Sequence, residues 1–189
     1  MKYLFVFLLW SLPLVSLGQL FDGKLSIFFS DWDVLKSEYL AKTYVADNIL
    51  TLDTTVQRFY LSSNAKLKKG ELISFTYNSE QEKGLLLGFW GGKVNENGVL
   101  YNEYSFTHFN YNEAIDFIES IESHLADNAD YLNTMQHNLS FLVGDFKFIV
   151  SFDVMPHIRV FWNGFDAYWN FGAFKNTKFN MNKKLKLKN

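Results

Sequence analysis

The chain has 189 residues, no cysteine, 48% hydrophobic residues and a formal net charge of −2, a composition that belongs to a folded body and excludes both a disulfide framework and a lipid-modified N-terminal cysteine. Charge is unevenly spread: residues 19–174 hold all 20 acidic residues against 11 basic ones, whereas 175–189 hold six lysines and no acid. So acidic a body argues against nucleic acid as a partner.

Residues 1–18 read as a secretory signal peptide. Lys2 supplies a basic start, and 3–17 is an apolar run broken only by Ser11, Pro13 and Ser16. The run is shorter than the ~20 residues of a spanning helix, so the chain is not expected to be transmembrane after cleavage. Ser16 and Gly18 place small residues before Gln19, which sets the expected cleavage after Gly18 and a secreted or periplasmic location. The expected organisation is a signal peptide at 1–18, a single globular α+β domain at 19–174 and a lysine-rich C-terminal tail at 175–189.

Along the mature chain, 25–29 is a short apolar run and the first expected strand. Asp31 and Asp33 are N-cap residue types before a short helix at 34–40. Strands are expected at 56–61 and 71–77. A hairpin joins 85–94 to 99–109 around Asn95-Glu96-Asn97-Gly98. With a loop of two or four residues, Leu85, Leu87 and Phe89 share a face with Tyr104, Phe106 and His108. Trp90 then shares the other face with Tyr101, Glu103, Ser105 and Thr107, and a three-residue loop would exchange these sets.

The principal helix is expected at 110–125. Asn110 and Glu113 fit a capping box, and Ala114, Ile115, Phe117, Ile118, Ile121 and Leu125 form an apolar stripe opposite Glu113, Asp116, Glu119 and Glu122, which should face solvent. Strands follow at 139–143 and 145–152, then a turn through Pro156. The segment 158–171 reads as a hairpin closed by Asn163-Gly164, the residues a type I′ turn requires. Its pairing puts Ile158, Val160, Trp162, Phe165, Ala167, Trp169 and Phe171 on a core face and leaves Arg159, Phe161, Asp166, Tyr168 and Asn170 on the other. The expected fold class is α+β: a mainly antiparallel β-sheet built from hairpins, with one principal amphipathic helix (about 110–125) packed on it.

Catalytic chemistry is thinly represented. Asp153 and His157 flank one turn, but Asp166 lies beyond the next, with an expected separation from His157 of roughly 20 Å or more, which breaks a triad. His108, His124, His137 and His157 have no metal-ligand spacing, and Gly88, Gly91 and Gly92 are not a phosphate loop but mark a bulge or a close backbone approach. No catalytic residue, metal site or cofactor is assigned. Asn138-Leu139-Ser140 is a glycosylation sequon that matters only in a eukaryotic secretory route.

The expected function is that of a small exported, non-catalytic binding or envelope-accessory protein, with an exported hydrolase of non-motif active site as the alternative. The ligand-facing candidates are Arg159, Phe161, Asp166 and Tyr168, suited to an envelope polysaccharide or a peptide. A second candidate surface is the basic tail, where Lys183, Lys184, Lys186 and Lys188 would touch an anionic surface.

Overall fold

The computed structural model describes residues 36–50, 56–65, 71–94, 96–152 and 156–186. The expected signal peptide, the strand at 25–29, Asp153 and Lys188 lie outside the described residues. Among those described, α1 covers 36–48. Then come β1 (Phe59–Ser63), β2 (Ile73–Ser79), β3 (Lys83–Val94), β4 (Leu100–Asn110), α2 (Tyr111–Asp127), α3 (Ala129–Leu132), β5 (Asn138–Val143), β6 (Phe146–Phe152), β7 (Pro156–Trp162), β8 (Phe165–Trp169) and α4 (Phe171–Lys186).

The strands form two four-stranded antiparallel sheets, each a meander: β1-β2-β3-β4 and β5-β6-β7-β8. The α+β class and the hairpin-built antiparallel sheets are as expected, but among the described residues the strands divide between two sheets and α2 is one of three long helices. The sheets meet through Phe89 of β3, whose ring lies 5.0 Å from Trp162, 6.2 Å from Phe165 and 6.3 Å from Phe146. Helix α2 packs beside this contact, with Phe117 stacked 4.6 Å from Phe109 and edge-on to Phe146 at 5.1 Å. On the opposite face of the first sheet a separate cluster joins Ala41 and Val45 of α1, and Ile49 just after it, to Ile73, Phe75, Tyr77 and Leu86.

That second cluster explains an error of facing. Val94 pairs with Leu100, so the β3–β4 loop has an odd number of residues, 95–99, and the faces are exchanged relative to the expectation. Leu85, Leu87 and Phe89 lie opposite Phe109, Thr107 and Ser105, while Trp90 lies opposite Tyr104 and stacks on it at 4.2 Å. Leu85, Leu86 and Leu87 are all buried, because the strand is covered on both sides. A strand buried on both faces shows no apolar alternation from which to read its register. Gly88 is a close approach, not a bulge: the β3–β4 ladder runs through it unbroken, and a Cβ there would press on the Phe106 ring.

Local chemistry sets α2 and the β7–β8 hairpin as read. Asn110 caps α2 by accepting from the Glu113 N–H at 3.0 Å, and the Glu113 carboxylate accepts from the Asn110 N–H at 3.0 Å. Asn163 and Gly164 both have positive φ, 48° and 79°, and Ile158, Val160 and Trp162 pair with Trp169, Ala167 and Phe165 as expected. Phe171 falls just past the strand and opens α4.

The lysine-rich segment is not a tail appended to the domain. Through Lys186 it is the body of α4, with Phe174, Thr177, Met181 and Leu185 buried at helical spacing. Phe174 packs edge-on against Trp169 at 5.1 Å, and the Thr177 hydroxyl of α4 meets the Ser74 hydroxyl of β2 at 3.1 Å. The lysines occupy the remaining helix positions and conceal this stripe in the sequence.

Candidate functional site

Among the described residues, the second sheet has one covered and one open face. Phe146, Phe148, Val150, Ile158, Val160, Phe165, Ala167 and Trp169 are buried in the shared core. Residues of opposite parity point away. The ladder aligns them in two rows across four strands: Leu142, Lys147, Phe161 and Asp166 in one, and Ser140, Ile149, Arg159 and Tyr168 in the next. Lys147, Arg159, Asp166 and Ser140 are exposed, whereas Ile149, Phe161 and Tyr168 are half-buried by their neighbours. Leu142 stands 67% exposed at the outer end of its row, so the face carries apolar area that the fold does not need for its own core.

The four residues expected to face a ligand therefore sit together on this face. Arg159 Nε donates to Asp166 Oδ1 at 3.1 Å, and its Nη2 donates to Asp166 Oδ2, a two-pronged ion pair diagonal across β7 and β8. The guanidinium lies 5.4 Å from the centre of the Phe161 ring, and the rings of His157 and Tyr168 are 5.7 Å apart. Arg159 and Asp166 side chains are 56% and 40% exposed, which keeps their pairing worth at most about 1 kcal/mol to stability. Their fixed geometry instead presents a planar cation, a carboxylate and two aromatic rings side by side.

His157 and Asp166 do not form a catalytic pair. Asp166 pairs with Phe161, four residues along β7 from His157, a separation of about 13 Å along the strand. This is shorter than the roughly 20 Å expected, because Asp166 lies just past the turn and pairs back toward His157, but it is still far beyond contact. Sequence reasoning missed Ser151, which lies directly opposite His157 across β6 and β7. Only the ladder register reveals that neighbour. The other histidines have structural partners: His108 Nδ1 with the Tyr44 hydroxyl at 3.1 Å, His137 Nδ1 with the Tyr131 carbonyl at 2.8 Å, and His124 packed on Phe141 at 4.6 Å.

The basic surface is smaller than the lysine count suggests. Lys184 Nζ donates to the carbonyls of Ser62 and Ser63 and, at 3.2 Å, to Asn64 Oδ1, and burial pushes its ammonium below the usual lysine value. It clasps the end of β1 to α4 and is not available to an external anion. Lys178 bridges Glu119 and Glu122 of α2 at 2.9 and 3.1 Å, so the acidic stripe of α2 is partly neutralised by α4 rather than simply solvated. Lys183 and Lys186 are exposed. Deleting 175–189 would also remove Thr177, Met181 and Leu185 from the core, so such a truncation would not separate surface attachment from unfolding.

Two concavities are lined by described residues. An apolar pocket of about 140 Å³ lies between α2, α3 and the end of the second sheet, lined by Leu125, Leu132, Val150, Phe152, Pro156 and Phe171 among others. A broader polar groove between α2 and α4 is crossed by the Tyr111 hydroxyl donating to Asn182 Oδ1 at 2.8 Å. No described helix is long and apolar enough to cross a membrane. No protein-family model matches the chain, and comparison with curated proteins and with solved structures finds no match.

Proposed function

We propose that the protein is exported and acts as a non-catalytic binding or envelope-accessory protein, with the open face of β5–β8 as its recognition surface and an envelope polysaccharide as its ligand class. The observation that carries this is the grouping of Arg159, Phe161, Asp166 and Tyr168 on one face outside the core. Phe161 and Tyr168 supply flat apolar area for a sugar ring, and the Arg159–Asp166 pair supplies donors and acceptors beside it. Export rests on the basic Lys2, the apolar run at 3–17 and the small residues before Gln19.

Titration calorimetry with soluble neutral and acidic envelope polysaccharides tests the reading. Arg159→Ala and Tyr168→Ala are each expected to weaken binding about tenfold, on the order of 1.4 kcal/mol. The melting temperature of Arg159→Ala should fall by no more than about 2–4 °C, the shift that 1 kcal/mol produces in a domain of this size. Unchanged affinity in both variants, or a collapse of stability in both, would remove the open face from consideration.

An exported hydrolase is the alternative, and one observation favours it: the direct opposition of Ser151 and His157. A nucleophile and its base need that proximity together with a hydrogen bond. His157→Ala should then abolish any hydrolysis of p-nitrophenyl acetate by the purified protein, and an undiminished rate would discard this alternative.

A further inference from the structure

Among the described residues, four strands lie at sheet edges, and three of them are protected. The end of β1 is clasped by Lys184 and by Asn180, whose amide donates to the Asn64 carbonyl at 2.7 Å. The β8 edge is bridged where the Leu72 N–H donates to the Tyr168 carbonyl at 2.7 Å. The β4 edge carries the charge of Glu103. The remaining edge, β5, reads Asn138-Leu139-Ser140-Phe141-Leu142-Val143. It has no charge, no proline and no bulge against β6, and among the described residues no strand pairs with its outer side. Such an edge is a template for another strand.

The geometry of β5 also selects the partner. Val143 pairs with Phe146 across a two-residue turn whose first residue, Gly144, has φ +57°. The pair closing such a turn is hydrogen-bonded, and pairs then alternate along the ladder. Leu139, Phe141 and Val143 therefore direct their backbone groups to β6, while Asn138, Ser140 and Leu142 direct theirs outward. A second β5 laid antiparallel, with Ser140 opposite Ser140 and Asn138 opposite Leu142, uses all three outward residues of each copy. It forms about six backbone hydrogen bonds. It also matches the faces: outer residues meet outer residues, and Leu139 meets Phe141 on the core side. No like charges are opposed, and the two-fold axis through Ser140 closes the assembly at two copies.

We propose that the protein is a two-fold homodimer joined through β5, in which the two second sheets merge into one eight-stranded sheet and the two open faces become continuous. The inference rests on the edge alone and does not depend on what the open face binds.

Sedimentation and light scattering on the purified protein at about 100 µM should give a dimer. Ser140 is exposed in the single chain, so a lysine there is tolerated by the fold, but it would set two ammonium groups face to face across the axis. Ser140→Lys and Ser140→Glu are each expected to be monomeric with an unchanged circular dichroism spectrum, and their mixture is expected to recover the dimer. The chain has no cysteine, so Ser140→Cys offers a single thiol, and the opposed Cα atoms of a hydrogen-bonded pair, about 5.5 Å apart, suit a disulfide. Mild oxidation should give a covalent dimer, and the control Tyr131→Cys should not. A monomeric wild-type protein, a dimer that survives Ser140→Lys, or equal cross-linking of both cysteine variants would each overturn the proposal.

Discussion

Replacing Gly84 by alanine is expected to destabilise the protein by at least about 3 kcal/mol, the upper end of overpacking effects, or to prevent folding. Gly84 pairs with Asn110, where β4 ends and α2 begins. The chain turns across β3 at this point, and a Cβ on residue 84 would overlap the Phe109 carbonyl oxygen and lie 2.9 Å from the Asn110 carbonyl carbon. Backbone cannot rotate away as a side chain can. Relief would require moving the N-cap of α2, which would disturb the capping box and the Phe117 contacts that tie α2 to both sheets. Gly91, on the same strand, is the internal control. A Cβ there would meet only Phe165 Cδ1 at 3.7 Å, an ordinary contact. Gly91→Ala should be neutral or stabilising by up to about 1 kcal/mol, since alanine reduces the freedom of the unfolded chain. Urea unfolding of the two variants measures the contrast, and equal midpoints would show that the β4–α2 junction is free to shift.

The contrast between these glycines also marks where the sequence can be read. Turn and cap chemistry is local, so Asn163-Gly164 and the Asn110–Glu113 box announced the β7–β8 hairpin and α2, and the hairpin pairing identified Arg159, Phe161, Asp166 and Tyr168 as one face. The rest of that face was illegible. Lys147, Ile149 and Leu142 join it only through the β5–β6–β7 register, as does the opposition of Ser151 and His157. The β3–β4 facing failed because Leu85-Leu86-Leu87 is buried on both sides and the loop length is odd. Helix α4 was hidden for a chemical reason: lysine is a good helix former that reads as a solvated tail unless its neighbours are counted at helical spacing. Its apolar stripe, Phe174, Met181 and Leu185, is interrupted by the buried Thr177, and Lys184 turns inward to serve backbone carbonyls of β1.

Alkaline pH is expected to destabilise the fold steeply, and Tyr77 is expected to carry much of that dependence. Tyr77 is buried under α1, and its hydroxyl donates to Glu82 Oε1 and, at 3.2 Å, to the Phe109 carbonyl. Burial, then the Glu82 hydrogen bond, then the negative charges of Glu82 and Glu113 all oppose ionisation and raise its pKa far above the ordinary tyrosine value. In the unfolded chain the phenol ionises near pH 10. Above that pH the unfolded state loses a proton that the folded state keeps, so the unfolded state gains free energy of ionisation alone. The stability contribution is present in full below pH 10 and falls by about 1.4 kcal/mol per pH unit above it. Tyr44, also raised by burial, acts in the same direction, and so does Lys178, whose pKa is raised chiefly by the Glu119 hydrogen bond. Lys184 acts oppositely: its folded-state pKa is lowered by burial, so it adds stability as pH rises toward the ordinary lysine value. Tyr77→Phe isolates the largest of these effects. At neutral pH it removes one donor from Glu82 and should cost about 1–2 kcal/mol. Because phenylalanine cannot ionise in either state, the deficit should shrink above pH 10 at the slope given above, and the two stability curves should converge. Urea unfolding at intervals from pH 8 to about pH 11.5, with tyrosinate absorbance followed in parallel, measures this. Curves that stay parallel across pH 10 would mean that Tyr77 ionises in the folded protein and that its seat between α1, Glu82 and the β4–α2 junction is open to water.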